Sequence, residues 1–169
     1  LAAMRRRYRT DLYRDRLNHI VDLMPQAGIG IDVIVGFPGE SDAHFATTRD
    51  FLLGLPASYL HVFTYSERAK TTALRIDDVV PVSERKARNK MLQQVSMKMQ
   101  WAHAAKFEGA VRPVLLESDL DEQGRRSGYT PEYVRVAVAD GMDCSAGAVV
   151  PVELGRMSEG RVQGRVVSP

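Results

Sequence analysis

The order of apolar patterns predicts an α/β unit followed by a small all-β barrel. Three observations carry this expectation. Helix-period and strand-period stretches alternate, with short connections, from Thr10 to about Lys106. Beyond Gly109 only short strand-like runs remain, set between turn-rich segments. The charge changes at the same place: residues 1–106 hold 16 of the 23 Lys and Arg but 11 of the 21 acids, whereas residues 107–169 hold 7 bases and 10 acids. The expected division is therefore 1–106 and 107–169.

Thr10 is expected to cap a helix whose apolar face is Tyr13, Leu17, Ile20, Val21 and Met24, ended by Pro25 and Gly28. Ile29 to Val35, rich in Ile and Val, reads as a strand buried on both faces. Ser41 or Asp42 then caps a helix with Phe45, Thr48, Phe51, Leu52 and Leu55 on one face, closed by Gly54 and Pro56. Tyr59 to Tyr65 reads as a second strand. Helix, strand, helix, strand in that order implies parallel pairing. Ser66 to Val82 has no periodicity and is expected to form an ordered loop. A long helix follows from Ser83 to about Lys106, with Met91, Val95, Met99 and Ala102 as its core stripe and Glu84 to Lys90 on a solvated face. The remaining strands are expected at 111–116, 133–138, 148–154 and 160–167, with turns at Asp119–Gly128 and Asp140–Gly147. Four or five strands in that span suit a small barrel.

Composition excludes several classes. A hydrophobic content of 44% and a charged content of 26% are ordinary for a globular chain. No apolar run has the length to cross a bilayer, and no signal-peptide pattern is present. Cys144 is the single cysteine, so no internal disulfide can form; this fits a reducing, cytoplasmic setting. The chain opens at Leu1, and its first methionine, Met4, lies in an arginine-rich segment. It is expected to be a piece of a longer protein, and chemistry that needs several cysteines must then lie outside it.

The segment from Asp32 to Glu40, DVIVGFPGE, runs a strand into a loop of small residues. A Rossmann fingerprint fails, because Gly28 and Gly30 precede the strand. A phosphate-binding loop fails too, because Glu40 and Ser41 stand where Lys and Ser or Thr are needed. An acid beside a helix start offsets the dipole's pull on anions and favours cationic or hydroxyl-bearing ligands. Residue types leave two readings open here, a helix-start turn and a ligand-facing strand end. Asp32 faces a polar interior, pairs with an arginine, or acts in chemistry. The loop from Thr64 to Ala73, TYSERAKTTA, is dense in hydroxyls around Arg68 and Lys70. The four histidines lack ligand spacing, so no metal site is expected from them. Cys144 has no evident base and reads as inert. Arg5, Arg6, Arg7 and Arg9 around Tyr8 suit phosphate contacts or a solvated face. Tyr129, Tyr133 and Arg135 in GYTPEYVRV put two aromatics and a cation close together, a set able to stack and clasp single-stranded RNA. The negative charge of the strand half makes any such contact focal.

These motifs, LAAMRRRYRTDLY, DVIVGFPGES, YLHVFTYSERAKTTA and GYTPEYVRV, together resemble the methylthiotransferases of the radical S-adenosylmethionine superfamily over nearly the whole chain. The resemblance is strongest to the MtaB branch of the MiaB/RimO/MtaB family. It implies that 1–106 is the C-terminal portion of a radical SAM α/β barrel and that 107–169 is an RNA-binding, OB-like TRAM barrel. It implies S-adenosylmethionine bound near Ile34, Gly36, Phe63, Tyr65 and Ser66, with Gly36 small to admit that cofactor. It also implies two 4Fe–4S clusters whose ligands are absent from this segment, which is then inactive alone and holds no catalytic or metal-binding residue. The substrate implied is the N6-threonylcarbamoyladenosine beside the tRNA anticodon, methylthiolated at C2. Arg5, Arg7, Arg68, Tyr129, Tyr133 and Arg135 are the expected contacts to the anticodon stem-loop. Two alternatives stay open: a non-catalytic RNA-binding module, and a ribosomal-protein methylthiotransferase of the same family.

Overall fold

A computed structural model describes residues 4, 6–139 and 144–167. The chain forms two compact units, one of Leu1–Pro25 and Ile29–Met97, the other of Gln26–Gly28 and Lys98–Pro169.

In the first unit, helix α1 spans Thr10–Leu23. Thr10 is its first helical residue rather than its cap; Arg9 is the N-cap and lends no side-chain bond, while the Asp11 carboxylate accepts the Leu12 N–H at 3.0 Å. Leu17 is buried, but Met24, expected on the apolar face, is 56% exposed just beyond the last turn. Strands β1, Gly30–Val35, and β2, Tyr59–Thr64, pair in parallel from Gly30↔Tyr59 to Val35↔Thr64. Burial on both faces of β1 is not observed. Ile31, Val33 and Val35 are buried, whereas Gly30, Asp32 and Ile34 are exposed, so the strand alternates as a one-sided strand does. Asp32 thus escapes the cost of burial and forms no ion pair among the described residues.

Helix α2, Asp42–Leu53, starts where Ser41 accepts the His44 N–H at 3.2 Å, and it buries Phe45 and Leu52. The segment from Tyr65 to Pro81 is irregular except for a single 3-10 turn at Thr72–Arg75. Helix α3 then runs Val82–Ala105. Its expected core stripe is corrected by about one residue. Leu92, Val95 and Ser96 are buried in the first unit, while Met91 and Ala102 are exposed. The cause lies in the stretch expected to be solvated: Arg85 and Arg88 are both buried, and they define the inward face. Ser96 adds to it by bonding the backbone of Leu60, accepting its N–H at 2.8 Å and donating to its carbonyl at 3.1 Å. Asn89 donates to the Val62 carbonyl at 2.8 Å. Side chains of α3 therefore satisfy backbone groups of β2 that β1 does not pair.

The second unit is a closed barrel of β3 (Val111–Leu120), β4 (Arg126–Tyr129), β5 (Arg135–Val138), β6 (Val149–Ser158) and β7 (Arg161–Val166), in the order β3-β4-β5-β7-β6 and back to β3. This is an OB-like arrangement. Every pair is antiparallel except β5 with β7. Strand β4 begins inside the Asp119–Gly128 segment, expected to be turn alone, and ends one residue past it. Asp121 organises the short turn ahead of it, its carboxylate accepting the backbone N–H groups of Gln123 at 3.0 Å and Arg125 at 2.8 Å and the Arg125 Nε at 2.8 Å. The core is Val114, Leu116, Val134, Val136, Val138, Val152, Leu154 and Val162, joined by Ala104 and Phe107. Pro113 and Pro151 are register partners across β3 and β6, and on its other side the Pro151 carbonyl accepts the Val167 N–H at 3.0 Å.

Candidate cofactor edge and nucleic-acid interface

Strands β1 and β2 end side by side, and near that end two exposed apolar side chains, Ile34 and Phe63, are register partners. Ile34 is 39% exposed and Phe63 is 53% exposed, on one face of the sheet. One step beyond, Gly36 turns the chain with φ 77°. A Cβ on Gly36 would stand 2.3 Å from Cγ of Arg85. Glycine has a reason here that needs no ligand: the left-handed backbone and the Arg85 stem leave no room for a side chain. Past β2, Tyr65 is half-buried, packs edge-on against Phe37 with centroids 5.3 Å apart, and carries a buried hydroxyl with no hydrogen-bond partner. Ser66 is exposed.

Two buried arginines of α3 tie these loops together. Arg88 donates through Nη1 to Glu40 Oε2 at 2.6 Å and to the Glu40 carbonyl at 2.8 Å, and through Nη2 to Asp42 at 2.9 Å and to Glu84. The same Glu40 Oε2 accepts the Gly36 N–H at 2.7 Å. Arg85 donates through Nε to the Val80 carbonyl at 2.7 Å, through Nη1 to the Tyr65 carbonyl at 2.9 Å, and through Nη2 to Glu67 at 2.5 Å. Burial works against the Arg88 cation, but its bonds to Glu40 and Asp42 outweigh this and raise its pKa. The bond from Arg85 draws the Glu67 carboxyl below its ordinary range. Glu40 Oε2 is thus shared between the Arg88 guanidinium and the Gly36 N–H.

On the barrel, Tyr129 and Tyr133 stack with ring centroids 4.9 Å apart, and the Arg135 guanidinium lies 5.9 Å from the Tyr129 ring centroid. Burial pushes the Tyr129 phenol above its ordinary value. Tyr133 is 54% exposed and has φ 64°, a conformation that a bulky residue rarely adopts. Its N–H bonds the Thr130 carbonyl at 3.0 Å, and the Thr130 N–H bonds the Val134 carbonyl at 3.1 Å; this tight turn holds the Tyr133 backbone.

No family model matches the chain. Curated relatives do. The threonylcarbamoyladenosine tRNA methylthiotransferase MtaB of Bacillus subtilis is 34% identical over 157 residues, 91% of this chain and 35% of its own length. The tRNA-2-methylthio-N(6)-dimethylallyladenosine synthase of Helicobacter hepaticus is 30% identical over 172 residues, 99% of this chain and 37% of its own. The ribosomal protein uS12 methylthiotransferase RimO of Gloeobacter violaceus is 32% identical over 136 residues, 78% of this chain. The chain belongs to the methylthiotransferase family. It spans about a third of the length of these methylthiotransferases.

Of the residues singled out in the sequence, the structure brings Ile34, Gly36, Phe63, Tyr65 and Ser66 to one end of the two-stranded sheet, and Tyr129, Tyr133 and Arg135 into one cluster. Arg7 borders an open hollow of about 350 Å³ with Tyr8, Arg9, Leu12, Asp11 and Asp15, whose two acids reduce its pull on phosphate. Arg68 is exposed in the loop after β2, where its carbonyl accepts the Thr71 hydroxyl at 2.8 Å. Arg5 lies outside the described residues. Sequence reasoning missed Arg85 and Arg88, which sit in a run of charged residues that reads as solvated. The only available signal was their spacing of three, on the same face as Leu92 and Val95.

Proposed function

We propose that this chain is the C-terminal part of a radical S-adenosylmethionine tRNA methylthiotransferase. The enzyme would place a methylthio group on C2 of N6-threonylcarbamoyladenosine beside the anticodon. The observation that carries the RNA side of this reading is the stacked Tyr129–Tyr133 pair with Arg135 alongside, a platform and a cation for an unstacked nucleotide. Similarity to a relative named for that nucleoside, over 91% of the chain, supports the choice of substrate.

Ile34, Gly36, Phe63, Tyr65 and Ser66 would hold S-adenosylmethionine. The residues fit such a ligand. Ile34 and Phe63 offer adjacent apolar surface suited to an adenine ring, and the buried Tyr65 hydroxyl lacks a protein partner. When bound, the cofactor and its reducing cluster supply the radical that removes the C2 hydrogen, and the cofactor also provides the methyl group. The task of this chain is binding and orientation: the sheet end receives the nucleoside of the cofactor, and the barrel receives RNA. Two 4Fe–4S clusters belong to this reading. With Cys144 the only cysteine of the sequence, their ligands would come from elsewhere in the protein. A cytoplasmic location and exposed Arg7 and Arg68 near the RNA complete the proposal.

The test is mass spectrometry of tRNA nucleosides from a strain lacking the gene. Loss of the methylthio form of N6-threonylcarbamoyladenosine is expected, with restoration by the intact gene. An unchanged level overturns the tRNA assignment, and loss of a methylthio group from ribosomal protein uS12 instead moves the enzyme to the sibling substrate.

A further inference from the structure

We infer that Arg88, acting through Glu40, is a positioning residue for cofactor binding at the sheet end, with Arg85 as its companion. The inference rests on the proposed S-adenosylmethionine reading and assigns that edge a supporting device. Gly36 is the hinge of the edge, and its N–H is held by one acceptor, Glu40 Oε2, at 2.7 Å. That oxygen also takes Arg88 Nη1 at 2.6 Å, so the turn conformation depends on a guanidinium 3% exposed. Arg88 faces three carboxylates, those of Glu40, Asp42 and Glu84. Without the cation these repel, and Glu40, itself largely buried, is driven from Gly36 toward solvent. A lysine cannot replace the fork, because one ammonium cannot reach both the Glu40 carbonyl and the Asp42 carboxylate. Arg85 fixes the neighbouring loop through the Tyr65 carbonyl and Glu67, and its stem fills the space that Gly36 leaves. Neither arginine needs to touch a ligand. Both define where the Gly36 and Tyr65 backbones lie.

The experiment uses the whole protein that contains this chain, with its clusters reconstituted. Equilibrium dialysis measures S-adenosylmethionine binding, and amide hydrogen exchange reports on Gly36. Arg88→Met is expected to weaken cofactor binding about tenfold and to speed exchange at Gly36, while leaving anticodon stem-loop affinity unchanged. The double variant Arg88→Met/Glu40→Gln is the rescue. A neutral glutamine oxygen still accepts the Gly36 N–H and needs no cation, so cofactor affinity should recover. Unchanged affinity in Arg88→Met overturns the inference, and so does a folded double variant that binds no better than the single one. If Arg88→Met does not fold, Glu40→Ala carries the test, since it removes the acceptor at Gly36 and leaves Arg88 with Asp42 and Glu84; unchanged affinity there overturns the inference equally. A wild-type protein that binds no S-adenosylmethionine refutes the functional reading itself, a result separable from all of these.

Discussion

Gly36 carries two constraints at once, a φ of 77° and the Cγ of Arg85 at 2.3 Å from where a Cβ would stand. Gly36→Ala is therefore expected to cost about 1–3 kcal/mol, from left-handed strain and from displacing a buried side chain. Urea denaturation of the chain checks this, and a change within error would refute it. Tyr133 presents the opposite case, a large side chain kept where glycine would be easier, with φ 64°. Tyr133→Gly relieves that backbone but gives up the stack on Tyr129, so the barrel's stability should change by no more than about 1 kcal/mol. It should also weaken binding to an anticodon stem-loop by about 1–3 kcal/mol through the lost stacking. Thermal melting and a fluorescence anisotropy titration separate the two effects. Both residues stood out in the sequence, one for its setting in a strand-end loop and one for its aromatic neighbours. Their reasons did not, because Arg85 lies far along the chain and a positive φ at a tyrosine has no compositional mark.

At the level of elements, helix periodicity located the three α-helices of the described residues, but it misjudged the inward face of α3. Apolar counting favours methionines over arginines, and it cannot see that Arg85 and Arg88 meet carbonyls and carboxylates enough to offset their burial. The same blindness hid Ser96, a buried hydroxyl that joins α3 to both backbone groups of Leu60. Ser96→Ala removes both bonds and leaves the Leu60 amide and carbonyl without these partners; a loss of about 1–3 kcal/mol is expected, read from the denaturation midpoint. Strand β4 was missed for a related reason. Its four residues, Arg126–Tyr129, include a serine and a glycine and carry no alternating pattern.

The molecule as a whole follows the expected succession of an α/β unit and a β-barrel, since changes of periodicity survive even where individual faces are misread. One titratable group gives the second unit a pH signature. His103 is buried, and burial holds its pKa below the ordinary 6.5 despite its bond to the Glu132 carbonyl at 3.0 Å. Between the two values the unfolded chain binds a proton that the folded chain refuses. Stability therefore falls as pH drops below about 6.5 and levels off below the folded value. Thermal melts at about pH 8 and about pH 5 should show the decline, and His103→Gln should reduce it. An equal decline in the variant would refute the assignment.

The ring order β3-β4-β5-β7-β6 has a kinetic consequence. Successive hairpins can zip β3 to β4 and β4 to β5, but β6 must bypass β5 and seat against β3, so that β7 can return parallel to β5. Those closures join segments distant in sequence and pay their chain entropy before any contact repays it. Refolding of the barrel is thus expected to be governed by ring closure, on a scale of about milliseconds to seconds. Joining the chain ends by circular permutation between β6 and β7 would change which closure comes last.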